Sequence, residues 1–510
     1  MKESLRRQEG ITLIALIITI IILVILAAVS IRAVYEMGIV GYAINGTQQY
    51  AERAKEENEM LGQTVTKLED AVSKVKEIQG GTTTQDPTNP GDEPETPPTA
   101  ALTVGERATS AKKTYQDVPI PEGFTVSGVS GEATSEDDGI VIYDIPSTVD
   151  TTVEGFWTKD ENSNDIPDVQ EDYNQFVWVP VATAYVTQAS LQTLIDDTNK
   201  TEITDEKTAL QSLVNAGTYP MAVQYTGTIN GEAVTCYRGV LYDFAAGTNG
   251  ITMTVKDFST TEDYVNTANY YREPAYLTDS SYADASSYNP TVNGEKLISQ
   301  AKLQREYNAM VNSVAKNGGF YVARYELSYN STALKGESKR AKTVSTAADD
   351  ATKYWYGLYS VCQGMYNQTA DKVQSLMITG AQYDQIMIWM RNVKNTSNDT
   401  KYYIKDSTGM GYYGQSSKTT SGSNNAYAVK KVFDLAGNQY EWTSEANDTD
   451  YRAIRGGCWD NNGSNFPASG CSGYSYPNYD NDGSSSRSTL YIKPWQWFYV
   501  IVGLYTDSDA

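Results

Sequence analysis

Two short stretches in the C-terminal part of the chain decide the fold prediction. They read Val432-Phe433-Asp434-Leu435-Ala436-Gly437-Asn438-Gln439-Tyr440-Glu441-Trp442-Thr443 and Arg455-Gly456-Gly457-Cys458-Trp459. Around them, from Tyr115 to about Lys493, the chain is rich in Tyr, Thr, Asn, Gly and Val. Short β-like runs such as 175–181 and 318–327 alternate there with turn-rich stretches. This mixture predicts an α+β domain with irregular loops rather than a wound α/β sheet.

Few segments have the length and periodicity of a helix. Residues 376–392 form one, because the apolar side chains from Ile386 to Val393 fall three and four apart. Residues 207–214 and 299–314 are two further candidates. The domain contains neither a P-loop nor a G-x-S-x-G elbow, so neither of these two catalytic motifs points to an activity.

Three more segments complete an ordered set of motifs with the first two stretches. They are residues 320–326 (FYVARYE), the helical region 380–389, and residues 486–492 (SRSTLYI). In this order the set resembles the formylglycine-generating-enzyme family, whose marks include a D/N-x-x-G-N-x-W-E-W run and an R-G-G-S-W run. The resemblance implies a variant of the C-type lectin fold, which we assign to a lectin-like ligand-binding domain of residues 115–493.

The same resemblance implies a structural calcium ion. In the family, the D/N-x-x-G-N-x-W-E run wraps the ion, and the matching positions here are Asp434, Gly437, Gln439 and Glu441. Hard oxygen ligands at this spacing suit Ca²⁺. The alternative is a loop with ordinary capping acids. A weaker candidate is the acid-and-Asn turn 160–165 (DENSND), followed by Asp168.

Composition argues against catalysis and against nucleic acid as a partner. The chain has 40 Lys and Arg against 63 Asp and Glu, a net charge of −23, whereas nucleic-acid binding needs a basic face. It has no histidine, which removes Ser-His-Asp and Cys-His nucleophile systems and His-ligated zinc.

The cysteines do not match the copper-binding pair of the enzyme family. That family places two cysteines a few residues apart after R-G-G-S-W, whereas Cys471 follows Cys458 by thirteen residues with no Lys or Arg between. A reactive thiolate needs electropositive surroundings. We therefore predict that the protein is not an enzyme, and a formylglycine-generating-type oxidase ranks third among the functions. A Cys458–Cys471 disulfide and four unpaired cysteines both remain open.

The N-terminus predicts a membrane anchor. From Ile11 to Ile31 there are twenty-one residues without a charge, long enough to cross a bilayer, and the basic flank before them keeps the N-terminus in the cytoplasm. Gly10 followed by ITLIAL resembles the class III signal of type IV pilins and pseudopilins. The resemblance implies cleavage of a 1–10 leader between Gly10 and Ile11 by prepilin peptidase, methylation, and pilus-type export machinery. Ala15 stands where pilins usually have Glu, which leaves polymerisation open. A secretory signal peptide and a plain anchor are the alternatives.

Beyond the anchor, the sequence predicts an extended support. Residues 11–79 form a transmembrane and amphipathic stalk helix, since apolar residues from Leu61 to Val75 recur four and three apart. Residues 80–114 form a linker rich in Pro, Thr and acids. At the other end of the chain, residues 494–510 form an apolar C-terminal tail.

The segment 459–488 is the predicted ligand-binding site. It is dominated by Ser, Asn, Gly, Tyr and Asp, which cannot form a core but match the composition of antibody paratopes. The candidate ligand-binding residues are Trp459, Asn461, Asn462, Asn465, Phe466, Tyr474, Tyr476, Asn478, Tyr479, Asp480 and Asn481. The placement after an R-G-G-x-W run resembles C-type-lectin-like proteins diversified by retroelements. A long solvated loop without a binding role is the alternative.

Together these features predict a surface-displayed, pilin-like anchored binding protein of the adhesin or receptor type. Its large domain lies outside a bacterial cell membrane, and its partner is an extracellular protein or glycan. The second interpretation is a minor pilin or filament-tip assembly subunit.

Overall fold

The computed structural model describes most of the chain from residue 100 onward. The described residues are 100–110, 113–248, 250–256, 273–275, 291–292, 295–296, 298–330, 335–342, 354–366, 372–446, 451–477 and 483–493. All of them except strands β12 and β13, defined below, belong to one compact unit. The predicted leader, membrane span and stalk lie outside the described residues, as does the 494–510 tail.

Short strands outnumber helices among the described residues. The strands are β1 Ala100–Ala101, β2 Lys113–Tyr115, β3 Val118–Ile120, β4 Thr125–Val126, β5 Val141–Tyr143, β6 Gln175–Pro180, β7 Tyr185–Thr187, β8 Ala222–Ile229, β9 Glu232–Gly239, β10 Tyr242–Gly247, β11 Gly250–Val255, β12 Thr291–Val292, β13 Glu295–Lys296, β14 Gly319–Ala323, β15 Ser328–Asn330, β16 Lys335–Glu337, β17 Val373–Met377, β18 Lys394–Asn395, β19 Asn398–Tyr402, β20 Ala428–Val429, β21 Val432–Phe433, β22 Tyr440–Ala446, β23 Arg452–Arg455, β24 Cys471–Ser475, β25 Ser484–Ser486 and β26 Ser488–Ile492. The helices are α1 Asp168–Asp172, α2 Gln188–Asp196, α3 Glu206–Asn215, α4 Gln300–Asn317, α5 Trp355–Gly364 and α6 Gly380–Met390, with a 3₁₀ turn at Asn425–Tyr427.

A six-stranded antiparallel sheet organises the main unit, in the order β17-β26-β14-β6-β5-β4. Side chains alternate across it, so that Val177 and Val179 of β6 enter one hydrophobic core and Phe176 and Trp178 enter another. Both faces are therefore covered. This explains why β6 is apolar almost throughout instead of alternating with polar residues.

Helices α4 and α6 show why the sequence folds as it does near this sheet. Ser299 caps the start of α4, and Gly318, with φ of +79°, ends it in the left-handed conformation. Thr379 and Gln382 form a capping box at the start of α6, and every residue of α6 is buried.

A second sheet of four strands, in the order β24-β23-β22-β25, carries the predicted motifs. Strand β22 pairs in parallel with β25, and the other pairs are antiparallel. Tyr440, Arg455 and Cys471 therefore lie at one end of this sheet. Ala446 and Ser475 lie at the opposite end.

The α+β prediction is confirmed, as are the strands near residues 175–181 and 318–327 and the helices near 207–214 and 299–314. The predicted helix 376–392 is shorter than expected, because Leu376 and Met377 belong to β17 and pair with β26. The linker prediction for 80–114 is wrong for residues 100–110. Leu102 and Ala108 are buried there, and β1 pairs with β2.

Among the described residues, no helix is both long and apolar enough to cross a bilayer. The predicted span 11–31 is not among them, so the membrane anchor stays a prediction.

Candidate functional site

Arg455 opens the predicted R-G-G-C-W run and ends strand β23. Its Nη1 donates to Asp384 Oδ1 at 3.0 Å, and its Nε donates to Glu445 Oε2 at 3.1 Å. All three side chains are at most 1% exposed. The N–H groups of a guanidinium point in fixed directions, so its bonds to two buried carboxylates fix the geometry of the cluster. The cluster thereby fastens β23 to α6, which carries Asp384, and to β22, which carries Glu445.

Arg487, which lies between β25 and β26, makes a similar buried ion pair with Glu441 of β22. Its Nε donates to Glu441 Oε1 at 2.9 Å, its Nη1 to the carbonyl of Ala323 at 2.9 Å, and its Nη2 to the carbonyl of Phe433 at 2.7 Å. Arg487 is fully buried. We call Arg455, Arg487, Asp384, Glu441 and Glu445 the arginine framework.

The predicted calcium loop lies beside the arginine framework and is tightly wound. Asp434 and Asn438 both have positive φ, +55° and +57°, and Gly437 has φ of +81°. A Cβ at Gly437 would come within 2.4 Å of the Tyr412 carbonyl oxygen, so only glycine fits there. Asp434 Oδ2 accepts hydrogen bonds from Gly422 N at 2.7 Å and from the Ser421 hydroxyl at 3.0 Å.

Two carboxylate oxygens, one in this loop and one in the adjoining strand β22, lack a hydrogen-bond donor among the described residues. Asp434 Oδ1 and Glu441 Oε2 are buried, and none of the described residues gives either one a hydrogen-bond partner. Glu326 lies nearby, and its Oε1 accepts a hydrogen bond from the backbone N–H of Gln439 at 3.0 Å. Burial raises the pKa of Asp434 to about 6, and burial with repulsion from Asp434 and Glu441 raises the pKa of Glu326 well above its usual range.

This donor set fits a cation only in part. The two carboxylate oxygens without donors, and the negative charge of the carboxylates around them, favour Ca²⁺. Within the described ranges, however, no group of three or more His, Cys, Asp or Glu side chains is placed to hold a metal. The protein ligands would be Asp434 and Glu441, completed at Gly437 and Gln439. The calcium site stays a prediction.

The second acid-rich turn, residues 160–168, uses its acids to cap its own backbone. Asp160 accepts from Asn164 N at 3.2 Å and from Asp165 N at 2.8 Å, and Asp168 accepts from Glu161 N at 3.1 Å. The acids therefore close this turn on itself across four to seven residues, and the second calcium candidate stays a prediction.

The loop Cys458–Phe466, which we call the 458–466 loop, has a backbone fixed by its neighbours. The bonds are Trp459 N to Asn438 O (2.9 Å), Gln415 N to Trp459 O (2.8 Å), Gly414 N to Asn461 O (3.0 Å), Ser407 N to Gly463 O (2.9 Å) and Tyr413 Oη to Phe466 O (2.7 Å). Two side chains of the loop add to these bonds, since Asn461 Oδ1 accepts from Cys458 N at 3.1 Å and Asn462 Oδ1 accepts from Asn465 N at 2.8 Å.

The side chains of the 458–466 loop reach the surface. Asn462 and Asn465 are exposed, while Trp459, Asn461 and Phe466 are half-buried. Asn461 Oδ1 accepts from Tyr440 Oη at 2.5 Å, and the ring of Phe466 meets that of Tyr440 edge-on at 6.4 Å. Five of the predicted ligand-binding residues are therefore brought together on one rigid loop.

The remaining predicted residues are not placed with them. Tyr474 lies in β24, and Tyr476 follows β24 at the opposite end of the sheet, where its hydroxyl meets that of Tyr451 at 2.6 Å. Asn478, Tyr479, Asp480 and Asn481 lie outside the described residues.

The prediction that 459–488 cannot contribute to a core is wrong for its last residues. Ser484, Ser485 and Ser486 form β25 and are buried, and Arg487 is buried behind them. Pairing with β22 satisfies this backbone, and Ser486 Oγ donates to the carbonyl of Trp442 at 2.9 Å.

All four cysteines are unpaired, so the Cys458–Cys471 disulfide is absent from the structure. Burial and the neighbouring Asp460 raise the pKa of Cys458 to about 12. A thiol with so high a pKa is a poor nucleophile at neutral pH.

Sequence reasoning missed two features of the surface. The first is Tyr440, which occupies the Trp position of the D/N-x-x-G-N-x-W-E run and contacts both Asn461 and Phe466. The second is a cleft lined by Arg324, Arg340, Lys430 and Lys431, whose residues are too far apart in sequence to form a motif.

No protein-family description matches the chain, and no curated protein matches it. Among solved structures, the chain is similar to the Major Tropism Determinant U1 variant, with 14% identity and a TM-score of 0.24 over 52% of this chain and 67% of that one. It is similar to Treponema denticola variable protein 1, with 12% identity and a TM-score of 0.21 over 53% of this chain and 99% of that one. For CarF the values are 13% and 0.23, over 34% of this chain and 87% of that one. Similarities this weak establish neither a family nor a function.

Proposed function

We propose that the protein is a binding protein of the adhesin or receptor type and that the 458–466 loop is its contact surface. The observation that carries this proposal is that the groups that hold the loop in place differ from the exposed side chains that could contact a ligand. The backbone of the loop is held by five hydrogen bonds to neighbouring segments or side chains, and the Asn461 and Asn462 side chains cap it from within. The exposed side chain of Asn465 makes no hydrogen bond to any described residue. Such a surface can contact a ligand without a large ordering cost.

The chemistry of the loop favours a polar, largely uncharged ligand. Trp459, Phe466 and Tyr440 supply aromatic area, and the amides of Asn462 and Asn465 supply both donors and acceptors. Those aromatic and amide side chains carry no charge, and Asp460 is the one acidic side chain that the loop exposes. The ligand classes that fit are an extracellular glycan and a protein surface. Diversification by a retroelement would account for this combination of Asn and aromatic residues. A search beside the gene for a template repeat and a reverse transcriptase tests it, and the absence of both would contradict it.

Two substitutions test the contact surface in full-length protein, applied to a glycan array and to immobilised extracellular-matrix proteins. Asn465→Arg adds bulk and charge at an exposed position, and Trp459→Ala removes aromatic area. We expect each to lower the strongest signals at least tenfold. Asn199→Ala, at an exposed asparagine elsewhere, is the control. Signals that both loop variants retain in full would contradict the proposal.

For the N-terminus, we propose prepilin-type processing between Gly10 and Ile11, with residues 11–31 as the membrane anchor. The class III signal resemblance supports this proposal. Mass spectrometry of the mature protein is expected to show an N-methylated Ile11. An intact residue 1, or a cut elsewhere, would contradict it.

The assembly role remains the second candidate, because the same leader serves minor pilins and filament-tip subunits. Pull-down with pilus subunits from crosslinked cells separates the two. Recovery of stoichiometric pilin favours the assembly role, and its absence favours the binding protein.

A further inference from the structure

A cleft of about 910 Å³ lies apart from the proposed contact surface, since its lining shares no residue with the 458–466 loop. We call it the cation cleft, because Arg324, Arg340, Lys430 and Lys431 line it together with Trp389 and Phe433. Its volume falls within the range of small-molecule sites, roughly 300–1,000 Å³. Arg391 lines the cleft as well, which makes five cations against four acids, Glu132, Asp137, Asp138 and Asp165, in a chain of net charge −23.

Arg340 is a buried cation without an acidic partner. It is 6% exposed. Its nitrogens donate to Gly422 O at 2.9 Å, Gln170 Oε1 at 2.6 Å and Asn425 Oδ1 at 2.7 Å, all of them neutral acceptors. None of the described residues places a carboxylate on this guanidinium. A buried charge left in that state is costly unless an anion joins it.

Arg324 lies on the same aromatic ring as Arg340. The guanidinium carbon of each is 5.3 Å from the centre of Phe433. Arg324 already has its own counter-charge, since Glu132 accepts from it. Glu132 also accepts from Ser127 and Tyr143, each at 2.7 Å, so it is not available to Arg340.

The turn between β20 and β21 brings two more cations to the cleft at a conformational cost. Lys430 and Lys431 form a two-residue hairpin turn in which both φ angles are positive, +47° and +69°. Turns of this kind strongly favour Asn-Gly, because a side chain with a Cβ is strained at positive φ. Strain of this kind is concentrated at functional sites.

The two lysines are held over the cleft by backbone oxygens. Lys430 Nζ lies 2.6 Å from the Asp137 carbonyl and 4.6 Å from the centre of the Trp389 ring, and it also pairs with the Asp137 carboxylate at 3.1 Å. Lys431 Nζ donates to the Asp138 carbonyl at 3.1 Å. Partial burial lowers the pKa of Lys431, although the Asp138 carboxylate acts in the opposite direction.

Trp389, which also lines the cleft, has an indole N–H that donates to no described residue. It is 9% exposed, and within the described part of the chain nothing accepts from its buried Nε1. The Trp389 ring lines the cation cleft and also a smaller cavity next to Tyr219 and Gln385. A buried N–H without a partner costs free energy, which an acceptor on a ligand in the cavity that Nε1 faces would recover. The acids of the lining that lack a strong cation partner, Asp138 and Asp165, are exposed at the rim.

Buried donors and cations thus converge on a cleft whose outer acids face solvent. We propose that the cation cleft binds a small organic anion through carboxylate or phosphate oxygens. This site is separate from the 458–466 loop, and the inference does not depend on the proposed function.

The test is calorimetric titration of the full-length protein in mild detergent and low salt. The probes are citrate, glucuronate, inorganic phosphate and glucose 6-phosphate, with glucose as the neutral control. We expect at least one anion to bind saturably at one site, and glucose not to bind. Carboxylates alone, or phosphates alone, identify the group that is recognised. If none of the four anions binds, or if glucose binds equally, the proposal is wrong.

Replacing Lys430-Lys431 with Asn-Gly separates binding from folding. This double variant relieves the positive-φ strain, so its melting temperature is expected to stay the same or rise while anion affinity falls at least tenfold. Trp389→Phe keeps the ring, removes the N–H and is expected to lower affinity about tenfold, the effect of losing one hydrogen bond to a charged group. Lys302→Gln removes a cation outside the cleft and is the control. Unchanged affinity in both cleft variants would overturn the assignment.

Discussion

The 458–466 loop and the arginine framework are neighbours in sequence but have opposite roles. Arg455 ends one strand with all its charge buried among carboxylates, and only a few residues later Asn462 and Asn465 are exposed. In the framework, buried side chains hold the fold, whereas the loop is held by its backbone and by the Asn461 and Asn462 caps. Exposed positions of the loop that take no part in this, such as Asn465, are therefore expected to tolerate substitution, whereas the framework residues are not. Four predictions test this contrast.

The largest effect is expected from Arg455→Ala. It leaves Asp384 and Glu445 buried without their shared cation, and breaking a buried pair in this way typically costs about 3–5 kcal/mol. Urea unfolding of the variant measures the loss. Lys302→Gln, which breaks a partly exposed pair with Glu306, is the matched control and is expected to cost less than about 1 kcal/mol. Equal losses in the two variants would contradict the contrast.

A pH dependence is expected from Glu273, next to the framework. Burial and repulsion from Glu445 raise the pKa of Glu273 to about 8, although the Ala381 amide donates to it at 2.9 Å. In the unfolded chain a glutamate titrates near pH 4.3. Between these values the folded state keeps a proton that the unfolded state loses, so the free energy of unfolding falls as pH rises, by up to about 1.4 kcal/mol per pH unit. It levels off above pH 8.

Glu273→Gln isolates this contribution. The variant cannot ionise, so its stability curve between pH 5 and 8 is expected to be flatter than that of the parent protein. Thermal unfolding at several pH values compares them. Parallel curves for the two proteins would show that Glu273 is not the group responsible.

Calcium is expected to have an intermediate effect. If Asp434 and Glu441 share the ion with the loop between them, a concentration a hundredfold above Kd adds about 2.7 kcal/mol to the free energy of unfolding. Melting curves with Ca²⁺ and with a chelator measure the shift, and Asp434→Asn is expected to remove it. An unchanged melting temperature in the parent protein would refute the site.

The smallest effect on stability is expected in the 458–466 loop. Asn465→Ala removes an exposed amide that makes no side-chain hydrogen bond to any described residue, so the free energy of unfolding should change by less than about 0.5 kcal/mol. Chemical denaturation measures it. A loss above 1 kcal/mol would mean that the loop side chains also hold the fold.

The sequence predicted those parts of the fold that have local periodic signals. Helix α4 shows its apolar spacing, its Ser299 cap and its terminal Gly318 in one continuous stretch. The motif residues Asp434 and Arg455 were found as well, because their spacing resembles that of a known family. In each case the residues that predict the structure lie within about twenty positions of one another in the sequence.

The rest depended on contacts between distant residues. Ser484, Ser485 and Ser486 look solvated from composition, yet they are buried because β22 pairs with their backbone. Tyr476 was grouped with Trp459 on grounds of composition, and strand β24 separates them. The cation cleft combines Arg340 with Lys431, and no local pattern links the two.

The 458–466 loop is proposed to bind a ligand through Trp459 and Asn465 on a fold that does not need these two side chains. Binding of the strongest array probe and melting temperature, measured together for Trp459→Ala combined with Asn465→Arg, test this proposal. We expect at least a tenfold loss of binding with a melting temperature within about 3 °C of the parent, the shift expected for a change of roughly 1 kcal/mol or less. Full binding by the double variant, or a loss of binding explained by unfolding, would contradict it.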